Sequence, residues 1–282
     1  MIMAVDNLIS TQLIQEQVKL ALQEDVGQQD LTADLIPRDT IATAQIISRE
    51  NATLCGKKWL EAVFSQIDSG IKINWFYSDG EDLRENDVIC SLSGSARSLL
   101  TGERTAMNFV QTLSATASLS KRYADLVSDL DVQVLDTRKT IPGLRLAQKY
   151  AVLCGGGYNH RIGLYDGILI KENHINASGS ISAAISQART LHPEISIEVE
   201  VENFEELEQA LAAKADIILL DNFDVPALRK AVEITQGQAQ LEASGGITLA
   251  SIRKIAETGV DRISIGALTK DVQAIDLSMR FV

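Results

Sequence analysis

The sequence predicts an α/β protein whose second half is a barrel of βα units, preceded by a smaller α+β domain. Two observations carry this prediction. First, the second half repeats short apolar runs that end in polar or charged residues. Their landmarks, Arg138, Lys171, Glu200, Asp221, Ser244 and Gly266, are 33, 29, 21, 23 and 22 residues apart, enough for a strand, a loop and a helix each time. Second, the intervening segments have helical spacing. Strands alternating with helices imply a parallel sheet, and successive right-handed βα units of this length close toward a barrel.

The first half reads differently. Residues 8–24 and 57–67 have amphipathic helical spacing. TAQIISRE (43–50), IKINWFY (71–77) and DVICSLSG (87–94) read as strands. A long helical stretch, 101–127, leads to the barrel. There the strand runs are 132–139, 167–174, 195–203, 215–222, 239–246 and 261–268. PGLRLAQKYAVLC has Pro142 near a helix start and Gly155 after its end. Asn203 is placed to cap NFEELEQALAAK, with acids in the first turn. VPALRKAVEI and TLASIRKIAET repeat the helical pattern. CGGGYN (154–159) follows a helix and reads as a C-cap and loop.

Composition narrows the function. The net charge is −12, which disfavours nucleic acid and anionic lipid. No apolar run is long enough to cross a membrane, and MIMAVDNLISTQ lacks the pattern of a signal peptide. Three cysteines without a C-x-x-C pair point to a reducing cytoplasm. Against this acidic background, residues 136–174 carry six Lys/Arg and three acids. Such a cluster serves a small anionic ligand.

Barrel chemistry gathers at the C-terminal ends of the strands. Arg138, Lys139, Arg161 and Lys171 fall there and would build an anion-binding pocket. Arg145 and Lys149 fall within a helix and read as solvated residues. In EVEVE, Glu198, Glu200 and Glu202 share one strand face, and Asp221 ends the next run. Carboxylates on adjacent strands suit Mg²⁺ with substrate oxygens, or they pair with the neighbouring lysines. The turns EASGGIT and SIGALT offer backbone N–H groups to a phosphate.

The stretch DTRKTIPGLRLAQKYAVLCGGGYNHRIGLYDGILIKENH (136–174) resembles the core signature of the quinolinate phosphoribosyltransferase family. EDVGQQDLTADLIP (24–37), GERTAMNF (102–109), EVEVEN, LLDNF, EASGGI and SIGALT extend the likeness over nearly the whole chain. The resemblance implies an N-terminal α+β sandwich (1–112, joined by the tail 273–282) and an incomplete α/β barrel (113–272), assembled as a cytoplasmic homodimer. It implies transfer from phosphoribosyl pyrophosphate to quinolinate with decarboxylation, giving nicotinate mononucleotide in NAD biosynthesis. Arg138, His160, Arg161 and Lys171 would hold quinolinate, and Arg104 would reach the partner subunit's site. Lys139 and Lys171 would contact the phosphoribosyl substrate, Glu200 and Asp221 its ribose and Mg²⁺, and Ser244, Gly245, Gly246 and Gly266 its 5′-phosphate. Gln29-Asp30 departs from the Gly-Asp many members carry, far from the proposed chemistry. A carrier-domain reading of 78–94 lacks the lysine such a hairpin needs.

Overall fold

The structure is a computed structural model describing residues 9–282. The leader reading of 1–12 therefore falls largely outside the described residues. The chain forms two compact units. The first comprises the described part of Met1–Lys121 with Thr140–Gly156 and Leu268–Val282; the second comprises Arg122–Lys139 and Gly157–Ala267.

In the first unit, β1 (Ile41–Ser48), β3 (Lys72–Trp75), β5 (Val88–Ser95) and β12 (Leu277–Phe281) form one antiparallel sheet in the order β12-β1-β5-β3. The C-terminal tail supplies its edge strand, pairing Ser48 with Leu277 and Ala44 with Phe281. The short strands β2 (Ala52–Thr53) and β4 (Asp82–Leu83) pair separately. Helices α1 (Thr11–Asp25), α2 (Lys57–Ile67), α3 (Ala96–Asp125) and α4 (Arg145–Cys154) complete the mixed architecture. Alternation along β1 turns Ala44, Ile46 and Ser48 inward, and α2 buries Trp59, Leu60, Val63 and Phe64 at helical spacing. The Trp59 indole N–H donates to Gln17 on α1 at 2.8 Å, as a buried indole requires.

Helix α4 is buried on nearly all sides. Gln148 and Lys149 are fully buried, so Lys149 is not the solvated residue its sequence setting suggests. Gln148 accepts from Ile141 N–H at 2.8 Å and donates to the Thr269 carbonyl at 2.8 Å. Gly155 caps α4 where a Cβ would stand 2.2 Å from the Ala117 carbonyl oxygen. That close approach to α3 explains the first glycine of CGGG.

The second unit is a six-stranded, wholly parallel sheet: β6 (Gln133–Leu135), β7 (Ile168–Ile170), β8 (Ile197–Val201), β9 (Ile217–Asp221), β10 (Gln240–Ser244) and β11 (Arg262–Ser264). Its spatial order, β6-β11-β10-β9-β8-β7, is the cyclic order of a βα barrel, open between β6 and β7. Tyr158 makes an isolated parallel bridge to Leu135 on the free edge of β6. The barrel is therefore incomplete.

Helices α7 (Phe204–Ala212) and α8 (Val225–Thr235) lie where the sequence places them, and Asn203 Oδ1 accepts from Glu206 N–H at 3.0 Å as the expected cap. Two helices after β7 have no counterpart in the sequence reading, α5 (Glu172–Ser178) and α6 (Ile181–Leu191). The strand expected over 167–174 ends at Ile170 because the polar KENH segment turns at once into α5. Ser180 then caps α6 through Ala183 N–H. The helix expected over 248–258 shrinks to α9 (Ile252–Ala256). Thr248 and Ser251 bond each other instead, with Thr248 N–H donating to Ser251 Oγ at 2.9 Å, the usual competition between short hydroxyl side chains and helix formation.

Candidate active site

The six parallel strands bring their C-terminal ends to one mouth, and most of the second unit's expected site residues lie at or just beyond those ends; His160 and Arg161 do not, standing instead in the loop between the Tyr158 bridge and β7. Arg138 and Lys139 follow β6, Lys171 follows β7, Glu200 lies on β8, Asp221 ends β9 and Ser244 ends β10. Gly266 follows β11, and Ile265 between them donates to the Leu135 carbonyl on β6 at 2.9 Å. Arg104 sits in the first unit, exposed on α3.

Glu198 and Glu200 face the same side of β8, two residues apart. The upper one, Glu200, accepts from the Lys171 ammonium, so the carboxylate–lysine pairing considered from sequence is present. Asp221 stands nearby on the adjacent strand. Burial and the Glu200 charge push its carboxyl above the ordinary range, against the pull of Lys171 and Lys139. Two carboxylates and two lysines thus occupy one corner of the mouth.

Asp221 is oriented by its successor. Asn222 has φ +57°, donates its side-chain amide to Asp221 Oδ2 at 2.8 Å, and donates its N–H to the Ser244 carbonyl at 2.9 Å. Gly245, at φ +99°, lets this happen: a Cβ there would meet Asn222 Oδ1 at 2.1 Å. Gly246 has φ +60° with nothing within 4 Å of a Cβ position. EASGGI therefore needs its first glycine for room and its second for conformation.

Arg138 and Arg161 lie close enough to act on each other. Burial and the neighbouring Arg138 charge hold Arg161 below the ordinary arginine range, against the pull of Glu198 and Asp166. The chain fixes Arg161 from both sides. Asp166 accepts from Ile162 N–H at 2.7 Å and Gly163 N–H at 2.8 Å, closing the loop that follows. Before it, buried Asp136 accepts from Asn159 Nδ2 at 2.6 Å and from His160 N–H at 3.0 Å. Asp136 thereby ties this segment to the end of β6, two residues before Arg138.

His160 lies inside the barrel, with both ring nitrogens engaged by protein. Its Nδ1 accepts from Arg161 N–H at 2.7 Å. Its Nε2 lies 3.1 Å from Glu198 Oε2 and 3.4 Å from Glu242 Oε1, and Arg262 Nε lies 3.4 Å from Glu242 Oε2. Burial pulls the imidazole down and the two carboxylates raise it; the bond from Arg161 N–H belongs to the neutral ring, with its hydrogen on Nε2 toward the carboxylates. Burial and Glu242 raise Glu198. Burial also raises Glu242, but His160 and Arg262 bring it below the ordinary range. The ligand atoms of His160, Glu198 and Glu242 lie within 4.8 Å of one another, but Arg262 already supplies their cation. His174, in the same sequence signature, accepts from Lys171 N–H at 3.0 Å and so shapes the turn that carries the lysine.

The sequence reading did not single out Glu242, Arg262 or Asn222 for a role. Glu242 and Arg262 interrupt apolar strands, which was a signal. Asn222 next to Asp221 was none until β9 and β10 are paired.

Cations and carboxylates gathered at a barrel mouth, with small-residue turns alongside, suit small anionic ligands. Comparison with known proteins makes the class specific. The C-terminal domain of quinolinate phosphoribosyl transferase matches residues 116–280, and its N-terminal domain matches residues 30–114. A probable carboxylating nicotinate-nucleotide pyrophosphorylase from Bacillus subtilis is 42% identical over 257 residues, 91% of this chain and 89% of the relative. The structure of the nicotinate-nucleotide pyrophosphorylase from Francisella tularensis superposes with a TM-score of 0.95 at 48% identity, over 97% of this chain and 98% of that one. NadC from Streptococcus pyogenes gives 0.93 at 37% identity, over 97% and 99%. The chain belongs to the quinolinate phosphoribosyltransferase family.

Proposed function

We propose that this chain transfers the phosphoribosyl group of phosphoribosyl pyrophosphate to quinolinate with loss of CO₂, giving nicotinate mononucleotide and pyrophosphate in NAD biosynthesis. The observation that supports this reading, beyond family membership, is the gathering of Arg138 and Arg161, close enough for one to lower the other, with Lys139, Lys171, Glu200 and Asp221 in the same barrel. Quinolinate carries two adjacent carboxylates, and a dianion at Arg138, Arg161 and Lys171 removes the repulsion between the guanidiniums. His160 stands behind Arg161 and supports it.

Lys139 and Lys171 meet the phosphoribosyl substrate and take up charge as pyrophosphate departs. Ser244, Gly245, Gly246 and Gly266 line the 5′-phosphate. Glu200 and Asp221 lie against the ribose hydroxyls. Their oxygens also fit Mg²⁺, because a hard cation suits carboxylates and would relieve the conflict that raises Asp221. When bound, Mg²⁺ supplies positive charge to the substrate's phosphate oxygens.

The pyridine nitrogen forms its bond to ribose C1 as the bond to pyrophosphate breaks. The resulting pyridinium then draws in the electron pair released when the adjacent carboxylate leaves as CO₂, and the ring carbon takes a proton. The protein's contribution is placement of fixed charges before reaction. Arg104, exposed on α3, completes the site of a second copy in a cytoplasmic homodimer.

The test is an assay with quinolinate, phosphoribosyl pyrophosphate and Mg²⁺, following CO₂ and nicotinate mononucleotide, with nicotinate in parallel. Turnover of quinolinate alone, abolished by chelation, is expected. Equal turnover of nicotinate without CO₂ release would refute the decarboxylating reading.

A further inference from the structure

The inside of a βα barrel is normally filled by layers of apolar side chains. Here β8, β10 and β11 instead turn Glu198, Glu242 and Arg262 inward, at 5, 0 and 7% exposure. Removing carboxylates from water costs several kcal/mol each unless charges compensate them. Well-packed apolar residues would serve stability as well or better. Three strands therefore carry charged groups where none is needed for packing.

These groups converge on one side chain. Glu198 on β8 and Glu242 on β10 face His160 Nε2 at 3.1 and 3.4 Å, and Arg262 holds Glu242 from its other oxygen at 3.4 Å. The imidazole is gripped at one end, and its other nitrogen accepts from Arg161 N–H at 2.7 Å. A chain of contacts thus runs from the barrel interior to the main chain of Arg161. Asp136 secures the same segment from the β6 side through His160 N–H.

We propose that Glu198 and Glu242 are positioning residues for quinolinate, acting through His160 to hold the Arg161 main chain so that its guanidinium stays beside Arg138. The inference rests on the assignment of Arg161 to the quinolinate carboxylates. The corner formed by Lys139, Lys171, Glu200 and Asp221 has its own supports, namely the Lys171–Glu200 pair and Asn222. Loss of either buried carboxylate therefore falls on one substrate only. A network retained merely for folding would not discriminate between the two substrates.

The test is steady-state kinetics on Glu198→Gln and Glu242→Gln, with Arg161→Ala as reference and calorimetric titration of quinolinate alone. Each glutamine variant is expected to raise the KM for quinolinate by about tenfold, the scale seen when a supporting group behind a ligand is removed. The KM for phosphoribosyl pyrophosphate should stay within about twofold. If Glu242→Gln fails to fold, Glu198→Gln leaves the Glu242–Arg262 pair intact and decides the question. A folded variant with unchanged quinolinate KM, or with both KM values raised alike, overturns the inference while Arg161→Ala still weakens quinolinate. If Arg161→Ala itself leaves quinolinate binding unchanged, the site assignment falls, and the route through Arg161 falls with it.

Discussion

Alanine substitutions at the two adjacent glycines of EASGGI should have unequal costs. At Gly246 the backbone is in the left-handed region at φ +60°, with no atom within 4 Å of the new methyl. Only conformational strain is charged, about 1–2 kcal/mol. At Gly245 the backbone is at φ +99°, and the methyl would stand 2.1 Å from Asn222 Oδ1, 2.7 Å from its Cγ and 3.0 Å from its backbone nitrogen. The backbone nitrogen cannot swing aside as a side-chain tip does. Overpacking therefore adds about 1–3 kcal/mol to the strain, for a total of about 2–5 kcal/mol. Any rotation of Asn222 that eases the clash also breaks its 2.8 Å bond to Asp221. Urea unfolding of both variants should thus rank Gly245→Ala well below Gly246→Ala. Saturation with phosphoribosyl pyrophosphate should be more impaired in Gly245→Ala. Equal stabilities would refute the close approach of the β9 and β10 ends on which the Asp221 geometry depends.

Two further outcomes are expected. Asp30 accepts from Thr32 N–H at 2.9 Å, Ala33 N–H at 3.0 Å and Thr101 Oγ1 at 2.8 Å, and those donors, chiefly Ala33 N–H, hold its carboxyl below 3.8. Because the folded value is depressed, its stabilisation is complete above the unfolded value and is lost as pH falls through the folded one. Asp30→Ala should cost about 1–2 kcal/mol near neutral pH, with the gap to the parent closing below pH 3.8 in urea titrations; a gap that stays constant into acid would count against this account. Separately, if Arg104 serves the partner's site, mixing inactive Arg104→Ala with inactive Lys171→Ala protein should restore part of the activity once subunits exchange. No recovery despite demonstrated exchange would remove Arg104 from a shared site.

The parts of the fold legible in the sequence were those set by local pattern. Strand and helix alternation, the Asn203 cap and the helix at 57–67 need only neighbours in the chain. What sequence reading missed depends on pairing across the sheet or on competition between nearby polar groups. Lys149 reads as solvated because its charge dominates local inspection, yet α4 is enclosed on nearly all sides. The helix after β10 is shortened by hydroxyl bonds within Thr248–Ser251, a contest that helical spacing does not reveal. The residue types at the mouth were readable at strand ends. Their supports were not, because Asn222 acquires its meaning from Gly245 on another strand, and Glu242 from His160, 82 positions earlier in the chain.

The distribution of charge suggests a division of labour within the barrel. At the mouth, Arg138 and Arg161 raise each other's electrostatic energy, as do Glu200 and Asp221. Each repulsion is offset in part by neighbours, Glu198 and Asp166 for Arg161 and Lys171 and Lys139 for Asp221, and a ligand of opposite sign offsets it further. Deeper in, Glu198, Glu242, His160 and Arg262 are matched among themselves. A site that stores like-charge repulsion needs a rigid base, or its cations would drift apart to relax it. The matched interior supplies that base: His160 grips the Arg161 main chain, while Asp136 binds the same segment to the strand leading to Arg138. Charges held in place in this way are set before a dianion arrives, so none of its binding energy is spent on gathering its own receptors.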